Sequence, residues 1–108
     1  MIARRLRALP RRHVCGLEVP VADSFQSRLL GLAGLSPEQA GPGLLIPRCA
    51  SVHSFGMRFD LDLVFLDDDE RVLAVLRLPP RRLARHRGAA AVLEIPSPQG
   101  GEFALPRT

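Results

Sequence analysis

The chain of 108 residues has no Lys, Tyr, Trp or Asn, and its one Thr is the terminal Thr108. Those absences exclude lysine Schiff-base catalysis, a phosphate loop closed by lysine, and a tyrosine general acid. With five Phe and no Tyr or Trp, there is little on which nucleic-acid bases could stack. The chain has only two cysteines, Cys15 and Cys49, too few for a disulfide framework. No apolar run approaches the roughly 18–20 residues of a membrane span, and the opening segment holds no secretory core. A cytoplasmic protein with reduced thiols and no membrane contact is therefore expected.

Charge is unevenly placed. Residues 1–12 carry Arg4, Arg5, Arg7, Arg11 and Arg12 and no acid, while the other ten Arg face eleven acids. The reading is a basic, disordered arm at 1–12 on a single near-neutral β-rich domain at 13–108, a length that suits one core. Its hydrophobic share of 46% marks a globular chain.

Pattern supplies the elements. Residues 13–22 suggest a first strand made irregular by Gly16 and Pro20. Asp23 and Gln26 have the spacing of a capping box. The helix they open is expected to reach about Ala33, with Phe25, Leu29 and Leu32 as its buried stripe. Arg28 lies at the edge of that stripe, so an ion pair with Asp62 is expected, with Asp60 as the other partner. Residues 43–47 and 50–55 read as short strands, with a turn or bulge at Gly56. Residues 61–66 are apolar on both faces and read as a central strand. The four acids 67–70 make a hairpin turn, and residues 71–78 return. Residues 81–88 read as a basic loop or short helix, and 89–95 as a late strand.

Several of these segments together resemble the bacterial and archaeal domain-of-unknown-function family 192 (DUF 192). Val21-Ala22-Asp23 leads to Ser27-Arg28 and Gly31-Leu32, like the family's opening. Gly43-Leu44-Leu45 is similar to its Gly-Met/Leu-Leu strand. Ser51-Val52-His53-Ser54-Phe55-Gly56-Met57-Arg58-Phe59, followed by Leu61-Asp62, resembles its central motif. Phe65-Leu66-Asp67 and Ala91-Val92-Leu93-Glu94 match two later elements. Asp60 stands where proline is usual, and residues 101–108 lack the closing Gly-Asp element, so a last strand near Phe103 is expected to be short or absent. The resemblance implies a mainly β (α+β) fold: a single small, curved or barrel-like sheet with one N-terminal helix packed on it. It implies no known activity.

The central motif holds the candidate site: Cys49, Ser51, His53 and Arg58. On a regular strand Cys49 and His53 would share a face about 13 Å apart, too far for a hydrogen bond or a shared metal. No acid in the motif orients the imidazole as in a nucleophilic triad. The plainer reading makes His53 a backbone-bonded residue and Cys49 a small hydrophobe. If the motif is a binding patch, a bend at Gly56 would bring Arg58 back from about 17 Å to join Ser51 and His53. The acids 67–70 lack the spacing of a calcium loop and read as a solvated turn, so neither metal nor cofactor is expected.

Three functions remain open at this point. The chain is a non-enzymatic binding or accessory module for a small molecule or protein segment, an enzyme of a small substrate through Cys49 or His53, or an adaptor whose basic arm meets an acidic partner. Nucleic acid is disfavoured as a partner, and a monomer or weak dimer is expected.

Overall fold

Leu61, Leu63 and Phe65 alternate with Asp62, Val64 and Leu66, so a strand here must be covered on both faces. In the computed structural model of the chain, which describes residues 1–97, all six are buried. The elements in chain order are α1 (Arg4–Arg7), β1 (Arg11–Val14), β2 (Leu17–Pro20), α2 (Phe25–Leu30), α3 (Pro37–Ala40), β3 (Leu44–Pro47), β4 (Ser51–His53), β5 (Leu61–Leu66), β6 (Val72–Leu78), β7 (Leu83–Arg85) and β8 (Ala91–Pro96). The main sheet is antiparallel with the order β3-β8-β5-β6, which makes β5 an inner strand. Leu61, Leu63 and Phe65 join the larger core, with Leu32, Leu44, Ile46 and Val92. Val64 and Leu66 join a second core on the other face, with Val14, Val19, Val21 and Leu93. The expected mainly β architecture is present, but among the described residues the sheets do not close into a barrel and the helices are three short ones.

The segment read as a disordered arm is packed against the body. Leu6 is 1% exposed and belongs to the larger core. The Arg5 guanidinium donates to the carbonyls of Gly31 (3.1 Å) and Ala33 (2.6 Å). The amide of Ala3 donates to the Gln39 carbonyl, and Arg12 pairs with Glu70. Ile2, Leu6 and Leu9 stand at i, i+4 and i+7, a helical period that the surrounding arginines obscure, and Ile2 and Leu9 pack against the same core. Residues 11–20 form a hairpin rather than the single strand expected. Cys15 (φ 52°) and Gly16 (φ 78°) make its two-residue turn, the left-handed pairing that matches the twist of antiparallel strands.

Helix α2 also differs from expectation. Ser24, not Asp23, is the N-cap, and Ser24 and Ser27 cap each other's backbone reciprocally. The helix ends at Leu30 because Gly31 takes φ 53° and ψ −128°. Six residues are too few to carry the expected stripe. Phe25 and Leu29 are 82% and 57% exposed, and Leu32 is buried beyond the helix end.

The ion pair expected between Arg28 and Asp62 is absent. Asp62 lies directly across from Arg77 in the β5–β6 register, accepts from its Nε at 3.1 Å, and takes a 2.5 Å hydrogen bond from Ser97 Oγ. Arg28 donates instead to the Arg48 carbonyl at 2.9 Å. Strand parity explains the difference: Asp62 points with Val64 and Leu66, while α2 lies over the opposite face.

The loops otherwise follow local chemistry. At the acidic turn, Asp67 Oδ1 accepts from the amides of Asp69 and Arg71, while Asp68 and Asp69 are exposed. Residues 81–88 contain β7, which pairs with β4. Ser54, fully buried, fastens that pair by donating to the Pro79 carbonyl (2.6 Å) and accepting from the Arg82 amide (2.9 Å). The final strand considered near Phe103 lies outside the described residues. Among those described, no helix is long and apolar enough to cross a membrane.

Candidate functional site

Strand β3 ends at Pro47, and the next residue, Arg48, takes φ 51°. That left-handed residue turns the chain before β4 begins at Ser51 and draws residues 48–53 towards the end of α2. Between them lies a cavity of ≈ 460 Å³, within the range typical of small-molecule sites. Its buried lining includes Gly31, Ile46, Val52, Met57 and Glu94, and its solvent side includes the exposed Asp23, Phe25, Leu29, Arg48 and Ser51. Cys49, Ser51 and His53 all line it; Arg58 is exposed and is not among the lining residues. The guanidinium groups at this cavity are those of Arg28 and Arg48.

Cys49 and His53 each make a local hydrogen bond. The Cys49 thiol donates to the Ser51 carbonyl at 3.0 Å. His53 Nδ1 accepts from the Phe55 amide at 3.2 Å, so the neutral ring carries its proton on Nε2. The imidazole also leans on the Phe55 ring, with centroids 5.7 Å apart. The arrangement can offer a ligand a donor from Nε2 and the Ser51 hydroxyl.

Glu94 was not singled out from the sequence. It sits in β8 directly between Leu44 of β3 and Leu63 of β5, and is 1% exposed. Its Oε1 has no hydrogen-bond partner among the described residues. An ionised carboxylate there would be unsupported, since burial without a partner strongly disfavours charge. Burial accordingly pushes its pKa up to about 8. Two glycines make room for this residue. A Cβ on Gly31 would lie 3.2 Å from Oε1, and one on Gly43 would lie 2.3 Å from the Glu94 carbonyl oxygen. The signal was available: a lone acid inside an apolar strand.

A second concavity of ≈ 320 Å³ opens on the α1 side of α2. Arg5 is its charged lining residue, and that guanidinium is held by the carbonyls of Gly31 and Ala33. The first cavity therefore holds the richer chemistry.

Comparisons with known proteins agree with the motif reading. The family model DUF192, described as "Uncharacterized ACR", matches residues 9–104. The UPF0127 protein PH1112 of Pyrococcus horikoshii is 37% identical over 86 residues, covering 77% of this chain and 74% of that protein. A crystal structure of a protein of unknown function from Novosphingobium aromaticivorans is similar in fold, with a TM-score of 0.60 at 19% identity, over 93% of this chain and 90% of that one. By the extent of the family match and the identity to the archaeal relative, the chain belongs to the uncharacterised DUF192 family.

Proposed function

We propose that the chain is a non-enzymatic small-molecule-binding module whose site is the cavity between α2, β4 and β8. One observation carries the reading: Cys49, Ser51 and His53 share that cavity with a buried carboxyl whose Oε1 has no hydrogen-bond partner among the described residues. A polar atom in that position is costly to the fold unless something else uses it. Ligand sites typically combine an apolar wall with a few convergent polar groups, as Ile46, Val52 and Met57 stand beside Ser51, His53 and Glu94 here. The local hydrogen bonds of Cys49 and His53 favour binding over nucleophilic chemistry. The basic-arm adaptor loses support because Arg5, Arg11 and Arg12 already hold intramolecular partners.

A metabolite thermal-shift screen tests this. A ligand at a hundred times its Kd stabilises the fold by about 2.7 kcal/mol, a shift of several degrees for a chain of this size. The expected result is a hit whose shift is lost in His53→Ala, with the variant still folded. No hit, or a hit whose shift survives both His53→Ala and Glu94→Leu, contradicts the proposal.

A further inference from the structure

The binding reading leaves the ligand's chemistry open, but the cavity constrains it at three depths. At the floor is Glu94, 1% exposed, with Oε1 unpartnered among the described residues and leucines on both neighbouring strands. At the solvent side are Arg28 and Arg48, with Asp23 offsetting one of their charges. Beside them Phe25 and Leu29 hold apolar surface out in water, 82% and 57% exposed, on a helix that buries none of its own residues.

Each depth selects a kind of group. A carboxyl enclosed by apolar side chains with no cation beside it keeps its proton, and a protonated carboxyl is a hydrogen-bond donor. The upward displacement of Glu94 by burial agrees with that. A donor at the floor asks for an acceptor without charge, since an anion there would face the same burial cost. The Arg28 guanidinium uses one nitrogen on the Arg48 carbonyl and keeps further N–H donors in its planar fork. Two guanidinium groups at the entrance favour an anion and disfavour an entering amine. The Phe25 ring and Leu29 methyls beside the guanidiniums, with Ile46, Val52 and Met57 further in, suit an apolar body.

Resting on the binding reading above, we infer that the cavity takes a small organic anion with an apolar body and a distal carbonyl, the anion held by Arg28 and Arg48 and the carbonyl accepting a hydrogen bond from the neutral Glu94 carboxyl. Gly31 is the positioning residue of this arrangement. It ends α2 on the carboxyl, and a Cβ there would press on Oε1 at 3.2 Å and on Met57 Cε at 3.5 Å.

The test uses the full chain, labelled with nitrogen-15, and four probes of nearly the same size. 4-Acetylbenzoate has the anion and the carbonyl. 4-Isopropylbenzoate lacks the carbonyl, 4-methylacetophenone lacks the anion, and 4-(aminomethyl)benzoate puts an ammonium in place of the ketone. The expected result is that 4-acetylbenzoate shifts the amides of Gly31, Cys49, His53 and Glu94. Loss of either polar end should weaken binding about tenfold, because a site built around a hydrogen bond rejects the analogue lacking it. Glu94→Gln keeps a neutral donor and should keep the preference for the ketone over the isopropyl group. Glu94→Leu should abolish that preference while leaving the fold intact. The inference is overturned if the aminomethyl probe binds most tightly and Glu94→Gln loses it, for then the carboxyl serves as an ionised partner of a cation. It is also overturned if ketone and isopropyl probes bind wild type equally, or if no probe moves these amides. In those cases the binding reading still stands if a metabolite from the thermal-shift screen loses its effect in His53→Ala, so the two failures are told apart.

Discussion

The residue on which most depends is Glu94, and its consequence for stability has a definite sign. Its folded pKa is raised by burial from 4.5 to about 8. Below about 4.5 both folded and unfolded chains hold the proton, and the stabilising contribution is complete. As pH rises towards 8 the unfolded chain ionises while the folded one stays protonated, so the contribution falls; above 8 it is lost. The expected loss across that window is on the order of 5 kcal/mol. The other ionisable groups lining the cavity, Asp23, Arg28, Arg48, Cys49 and His53, are common to wild type and a Glu94→Gln variant. Urea unfolding of both proteins at about pH 5, 7 and 9 isolates the effect. Wild type should lose stability against Glu94→Gln as pH rises, and equal slopes would mean that the folded carboxyl is already ionised. The sequence contained the clue, since an acid within Ala91-Val92-Leu93-Glu94-Ile95 has no solvent-facing reason to be there. Burial of its neighbours by two flanking strands could not be read from one segment. Asp62 shows the converse: its parity opposite Leu61 and Leu63 was legible, and following it through would have removed Arg28 as a partner.

Elements were legible where the signal was local and obscure where tertiary contacts decided. β3, β5, the acidic turn and β6 follow from alternation and turn chemistry, and the structure has them. α2 was recognised as a helix, but the stripe of Phe25, Leu29 and Leu32 assumed two turns that Gly31 prevents. The same pattern that suggested burial instead puts Phe25 and Leu29 at the mouth of the cavity. β7 was hidden because Leu83, Ala84 and Arg85 pair with a distant segment and have no strand-like alternation. α1 was passed over although Ile2, Leu6 and Leu9 stand at i, i+4 and i+7, because the arginines around them read as a solvated arm, and it supplies the clearest test at this scale. Leu6 is 1% exposed in the larger core, so Leu6→Ala should destabilise the fold by about 2–4 kcal/mol through lost burial and an unfilled cavity. Chemical denaturation measures it; a change below about 0.5 kcal/mol would mean that the opening segment is a solvated arm after all.

At the scale of the whole molecule, one sheet separates two apolar cores, and the cavity opens on the face of the larger one. The mainly β class was legible from strand counts and from the family-like motif at residues 51–62. The convergence of Cys49, Ser51 and His53 with Glu94 was not, because it depends on the left-handed turn at Arg48 and on the pairing of β8 between β3 and β5. The opposite face carries the β1–β2 hairpin. A crystal structure of the chain with the first metabolite that raises its melting temperature tests the account most directly. The account expects that molecule between α2, β4 and β8, with one of its polar atoms within hydrogen-bond distance of the Glu94 carboxyl. A ligand seated on the β1–β2 hairpin or the exposed side of β6, with the Glu94 carboxyl untouched, would contradict it.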